Sequence, residues 1–216
     1  VKPPAIGANE TERLAVLRSY EILDTPPEPR FDTLTKLAAN ILKVPIALIT
    51  FVDTDRQWFK SRYGLDAPET PRDVSFCGHV VAAEAPLVVP DALQDLRFSD
   101  NPLVTGDPKV RFYAGVPLQT PDGFSLGTFC AIDHNPRQMA GAEVETLELL
   151  ARQVVEILEL QRRHTASEAR LRAIRLFDFS RAISMKSGLR LAVCECSGIV
   201  SGGLSCPDFG IRSRPV

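Results

Sequence analysis

The segment Arg111–Arg137, RFYAGVPLQTPDGFSLGTFCAIDHNPR, constrains the fold more than any other part of the chain. It holds two apolar runs, Phe112–Leu118 and Phe124–Ile132, joined by Thr120-Pro121-Asp122-Gly123. Proline presets the backbone at the second position of a type I turn and glycine suits the fourth, so the link reads as a tight reversal. β-branched and aromatic residues dominate both arms, which predicts an antiparallel hairpin. The second arm carries apolar residues on both faces, Leu126, Phe129 and Ala131 against Thr128, Cys130 and Ile132, and so belongs in the middle of a sheet. Gly115 and Gly127 leave room for something to pack closely on that sheet. His134-Asn135-Pro136 stops the strand before a long helix.

The remaining elements follow from periodicity. Residues 1–8 read as a loose leader, after which Asn9, with Glu12 three positions on, resembles a capping box for a helix reaching Leu23. Thr25-Pro26-Pro27-Glu28-Pro29 breaks it, and Phe31, Leu34, Leu37, Ala38 and Ile41 mark a second helix from Arg30 to Leu42. Val44–Val52 and Gln57–Tyr63 form a second hairpin around a polar turn. Gly64–Pro71 reads as an irregular loop, and Asp73 or Ser75 starts a short helix through Ala83. Leu87-Val88-Val89, bounded by Pro86 and Pro90, is an edge strand, because proline cannot donate to a ladder. One helical turn falls at Pro102–Thr105, and Gly141–Arg163 is helical with a pattern that runs on through Leu171, Ile174 and Phe177. Successive hairpins predict an antiparallel sheet with the terminal helices on one face and the middle segments on the other.

Composition excludes some classes of function. A net charge of −2 gives no bulk attraction for nucleic acid or an anionic membrane. The charge is uneven: residues 1–163 carry net −6 and residues 164–216 net +4, which sets the tail apart from the body. The longest apolar run, Val44–Val52, is too short to cross a bilayer. Five cysteines without regular spacing fit a reducing compartment, and the body reads as cytoplasmic.

Several separate blocks now carry a resemblance: ETERLAVLRSYEILDTPPEPRFDTLTKLAANILKVPIALITFVDTDRQWFKS, RDVSFCGHV, LVVPDALQDLRFSDNPLV, RFYAGVPLQTPDG and LGTFCAIDHNPR. In that order they resemble the bacterial GAF domain, in the subgroup found at the front of sensor histidine kinases and diguanylate cyclases. The resemblance implies an α+β fold, a six-stranded antiparallel sheet with helices on both faces, over about residues 9–163. It also implies a regulatory module of two-component or cyclic-di-GMP signalling that binds a small molecule or dimerises. Its terminal helices would make a homodimer, and its C-terminal helix would pass the signal to an output domain. Residues 164–186 resemble a connector helix, and residues 187–216 match no output domain. No histidine phosphoacceptor motif, Gly-rich ATP box, GGDEF or EAL signature is present, so the chain is expected to lack kinase and cyclase activity. Loss or truncation of the output domain, or a change of reading frame near Lys186, would account for the tail.

The resemblance also implies a pocket between the sheet and the middle helices. It would be lined from Phe76, Cys77, His79, Phe98, Asn101, Arg111, Phe112, Tyr113 and Phe129. Aromatic walls with a few polar groups suit a small organic ligand, though the same aromatics can fill the space themselves. Arg111 can pair with an anionic ligand group, or with Asp107 or Asp100 at the surface. No motif names the ligand or a cofactor. Cys77-Gly78-His79 offers an alternative, a thiol enzyme of free-methionine-sulfoxide-reductase type, but residues two apart on a helix point to different sides. Cys130 reads as core. Cys194, Cys196 and Cys206 lack the spacing and the histidine of a closed zinc site, and no metal is expected. Trp58 and Phe59, adjacent in a strand, fall on different faces, one in the core and the other on a partner-facing or helix-facing surface.

Overall fold

The structure, a computed structural model, describes residues 1–187. The expected tail, with Cys194, Cys196 and Cys206, lies outside the described residues apart from its first position. One unit spans Val1–Glu168, and a second, Ala169–Val216, holds the end of the last helix.

The elements in chain order are α1 (Glu10–Ser19), α2 (Pro29–Leu42), β1 (Ile46–Val52), β2 (Arg56–Tyr63), β3 (Glu69–Pro71), α3 (Phe76–Ala83), β4 (Leu87–Val89), α4 (Pro102–Thr105), β5 (Phe112–Gln119), β6 (Ser125–Asp133) and α5 (Gly141–Ser187). Six strands form one antiparallel sheet in the order β3-β2-β1-β6-β5-β4. The central hairpin forms as expected. Thr120 accepts from the Gly123 N–H at 2.9 Å, and Gly123 takes a φ of +90°, which glycine adopts without strain. β6 lies between β1 and β5 and is buried from Ser125 to Ile132.

Alternation along the strands divides the interior in two. Ala47, Ile49, Phe51, Phe112, Ala114, Phe129 and Ala131 meet α1, α2 and α5 on one face. Ile46, Leu48, Val52, Phe59, Tyr113, Cys130 and Ile132 meet α3 and the loops around α4 on the other. Trp58 joins the first core and Phe59 the second, as adjacent strand residues must.

One bulge adjusts that alternation. Across β1, Ile49 pairs with Ser61 and Thr50 with Phe59, so Lys60 is the extra residue. Lys60 and Ser61 can then both serve the α2 side. The Lys60 ammonium, with its side chain 0 % exposed, donates to Thr25 Oγ1 at 2.7 Å and the Pro26 carbonyl at 2.8 Å, and pairs with Glu28 at 2.6 Å. Ser61 donates to Asp32 at 2.7 Å.

Some expectations change. α1 stops at Ser19 rather than Leu23, where Glu21 and Asp24 take positive φ and turn the chain toward α2. Asn9 does not cap α1; its amide turns outward to Glu84 at 3.4 Å. β3, expected as part of a loop, is a three-residue edge strand paired with β2. Residues 1–8 carry no helix or strand, yet Pro4 is buried against α3, where a Cβ on Gly78 would come within 2.6 Å of it.

Candidate functional site

α3 is held over the sheet from both ends. Ser75 caps it, accepting the Gly78 N–H at 2.7 Å, and Glu84 ends it in the left-handed region. Phe76, its first residue, stacks on Phe98 with ring centroids 4.0 Å apart and tilts against Tyr113 at 5.0 Å. Between this aromatic group and the β2–β3 edge lies a cavity of about 240 Å³. An apolar cavity of ~150 Å³ already admits a benzene ring.

The walls are mostly apolar, with the exposed Asp107 at the rim and two buried side-chain oxygens within. Leu48, Phe59, Leu65, Phe76, Leu103, Val110 and Ile132 supply most of the surface. Gln57 and Thr70 stand opposite one another across β2 and β3 and also face the cavity. Gln57 Oε1 and Thr70 Oγ1 are both buried without a hydrogen-bond partner, and Gln57 as a whole is 5 % exposed. A buried polar atom left unpaired costs about 1–3 kcal/mol. Two such atoms, side by side in an apolar wall, are positioned to receive a donor.

A sulfur lies on the sheet side. Cys77 lines the cavity, is 2 % exposed, and has its Sγ 3.8 Å from that of Cys130 on β6. The Tyr113 hydroxyl donates to Cys77 Sγ at 3.2 Å. Gly115 makes this possible, because a Cβ there would sit 2.1 Å from that hydroxyl. Burial pushes the Cys77 thiol up, but hydrogen bonds with Cys130, Thr128, Tyr113 and Thr50 outweigh it and bring the thiol down. Cys130 moves the opposite way, raised by its hydrogen bond to Cys77 and by burial.

Of the nine residues expected around a pocket, Phe76, Cys77 and Tyr113 line this cavity. Phe98 stands behind Phe76 as its stacking partner. Asn101 caps α4, accepting from the Leu103 N–H at 2.9 Å and donating to the Val74 carbonyl at 2.8 Å. Arg111 pairs with neither Asp107 nor Asp100 and turns away from the cavity, donating to the carbonyls of Val104 at 2.8 Å and Val110 at 3.0 Å. His79 faces the chain start, bonded to the Lys2 carbonyl at 3.1 Å, and partial burial lowers its pKa. Phe112 and Phe129 belong to the helix-side core, on the far side of the sheet. Their placement corrects the expected lining: Phe112 precedes Tyr113 and Phe129 precedes Cys130, so strand alternation forbids all four from sharing one face. The same rule, applied to Gln57 beside Trp58, marks Gln57 as cavity-facing. Thr70 has no such signal, since a three-residue strand shows no period.

Among the described residues, no group of three or more His, Cys, Asp or Glu side chains could hold a metal ion. No helix among them is long and apolar enough to cross a membrane.

Solved structures with this arrangement define the class: single-sheet α+β domains with helices on both faces. The blue-light-absorbing form of the PixJ GAF domain from Thermosynechococcus elongatus superposes with a TM-score of 0.56 at 18% identity, over 78% of this chain and 98% of that one. Free methionine-R-sulfoxide reductase from Neisseria meningitidis, solved with its substrate, gives 0.54 at 16% identity over 76% and 98%. At such identities the likeness is one of fold.

The chain belongs to the GAF domain family, whose family model matches residues 26–158. A curated relative, cyclic di-GMP phosphodiesterase PA2567 of Pseudomonas aeruginosa, is 40% identical over 153 residues, 70% of this chain. The chain spans only 26% of that protein's length.

Proposed function

We propose that this GAF domain is a sensory module of bacterial signal transduction, of two-component or cyclic-di-GMP type, that binds a small uncharged organic molecule beneath α3. The observation that carries the reading is the pair of unpartnered oxygens, Gln57 Oε1 and Thr70 Oγ1, in the wall of an apolar cavity of about 240 Å³. A flat, mostly apolar ligand with one O–H or N–H donor answers both the volume and the unpaired acceptors. The kinship with a cyclic di-GMP phosphodiesterase over its matched region supports the signalling context.

The probe is 1-naphthol, read by thermal shift, since a ligand that binds only the folded state raises the melting point. Wild type is expected to be stabilised in a saturable way. Gln57→Leu is expected to bind about tenfold more weakly, the worth of about one hydrogen bond. It should keep at least wild-type stability without probe, because the change removes an unpaired polar atom. Absence of a saturable shift in wild type, or equal shifts in both proteins, would count against the reading.

Relay through α5 is the second part of the proposal. Leu149 and Leu160 are exposed and eleven residues apart, about three helical turns, so they fall on nearly one face. That stripe supports a parallel pairing of two copies of α5. Light scattering is expected to return twice 23.7 kDa. A monomer persisting at high concentration would remove the dimer.

The alternative, a thiol enzyme of free-methionine-sulfoxide-reductase type using Cys77 and His79, loses one partner. His79 faces the Lys2 carbonyl while Cys77 faces Tyr113 and Cys130.

A further inference from the structure

Cys77 is surrounded more elaborately than packing needs. A buried cysteine usually serves as a small hydrophobe with no particular partner. Here the sulfur meets the Tyr113 hydroxyl at 3.2 Å and a second thiol at 3.8 Å. Thr50 and Thr128, whose hydroxyls are 3.1 Å apart, also help to hold its thiol down. Such donors stabilise the thiolate, the form in which a cysteine reacts. The second thiol, Cys130, is free and buried on the central strand, whereas Cys77 is carried on the eight-residue α3. Cys77 also lines the apolar cavity and Cys130 does not, so the two sulfurs differ in what can reach them.

We propose that Cys77 and Cys130 are a redox-active dithiol oxidised by organic hydroperoxides, with the cavity taking the apolar part of the peroxide and Cys77 as the attacking sulfur. The Cys77 thiolate attacks the terminal peroxide oxygen. An S–O bond forms, the O–O bond breaks, and the departing alkoxide takes up the proton that Cys77 released. Cys77 is then a sulfenic acid and the peroxide an alcohol. The Cys130 thiol attacks the Cys77 sulfur, the S–S bond forms and the S–O bond breaks, and hydroxide leaves with the Cys130 proton as water. Two thiols have lost two electrons, and one hydroperoxide has become one alcohol and one water. The sulfurs must close from 3.8 Å to a bond length of about 2.05 Å. The short α3 yields more readily than the central β6, so the bond draws α3, and with it Phe76, toward the sheet. Oxidation would thereby reshape the cavity that the proposed ligand uses.

The inference rests on the cavity admitting small organic molecules, and its test is kept separate from the 1-naphthol binding test. The reduced 216-residue chain is exposed to equal concentrations of cumene hydroperoxide or hydrogen peroxide. It is then quenched with an alkylating agent in denaturant and mapped by non-reducing peptide mass spectrometry. The Cys77–Cys130 linked peptide is expected, formed about tenfold faster with cumene hydroperoxide because its apolar part is drawn into the cavity. In Cys130→Ser, where the disulfide cannot form, dimedone is expected to trap Cys77 as the sulfenic acid, and an unlabelled Cys77 would count against it as the attacking sulfur. The wild-type map decides the matter even where that variant folds poorly. Unmodified Cys77 and Cys130 after complete consumption of either peroxide, or equal rates with the two peroxides, would overturn the proposal. Gln57-dependent 1-naphthol binding would survive either result.

Discussion

Gly127→Ala is expected to destabilise the protein by about 4 kcal/mol, a large share of the roughly 5–15 kcal/mol of an ordinary domain. Gly127 lies in β6 opposite Phe51 of β1, both buried in the middle of the sheet. A Cβ there would stand 1.9 Å from the Thr50 carbonyl oxygen and 2.7 Å from Phe51 Cα. Those are backbone atoms of a fully buried neighbouring strand, so no side-chain rotation relieves the clash. The β1–β6 ladder must part, and it carries both cores. Gly141→Ala is the control, since nothing lies within 4 Å of a Cβ at that position. Urea titration is expected to show a large fall in midpoint for the first variant and none for the second. A near-normal midpoint for Gly127→Ala would mean that β1 and β6 are not packed as described.

Arg13→Met is expected to cost about 2–3 kcal/mol at neutral pH, the scale for removing one partner from a buried ionic group. The Arg13 side chain is 3 % exposed and donates to the Val52 carbonyl at 2.8 Å and to Glu10 through two nitrogens, each at 2.8 Å. Glu10 also accepts from Arg72 at 2.6 Å, and Arg72 reaches the Asp53 carbonyl at 3.0 Å. One carboxylate between two guanidiniums thus ties α1 to the β1–β2 turn. Burial pushes the Glu10 carboxyl up, and hydrogen bonds from Arg13 and Arg72 more than reverse it, holding it at about 2 against an ordinary 4.5. A folded-state pKa below the unfolded one gives stability that is complete above 4.5 and lost as pH falls toward 2. With solvent screening, about 1–2 kcal/mol should disappear across that window. Unfolding curves at pH 6 and pH 3 check this, and Arg13→Met should show a smaller loss between them. An unchanged pH dependence would show that the cluster is not a functioning tie.

The sheet and its layers were legible in the sequence because they rest on periodicity. The Phe112–Ile132 hairpin, Pro102–Thr105 and the edge strand at Leu87–Val89 each carry a turn residue or an alternation that leaves little choice. Gly115 and Gly127 also announced close approaches, though only the structure shows that one accommodates a tyrosine hydroxyl and the other a neighbouring backbone. The site was legible only in part. Phe76, Cys77 and Tyr113 face the cavity, but Phe112 and Phe129 were grouped with them by their aromatic character against the alternation of their own strands. Thr70 was hidden in a strand too short to show a pattern, and Cys130 meets Cys77 across fifty-three residues of chain. Arg111, which looks like an anion receptor in the sequence, spends its hydrogen bonds on local carbonyls, a pairing that composition does not reveal.

The measurement that bears most directly on the ligand-binding cavity is a two-dimensional amide NMR titration of the labelled protein with 1-naphthol. The account predicts saturable shifts concentrated at Gln57, Phe59, Thr70, Phe76, Cys77 and Tyr113, with Leu17, Ala38 and Val154 on the helix side unmoved. A spectrum that does not change, or shifts gathered on the helix side of the sheet, would contradict it.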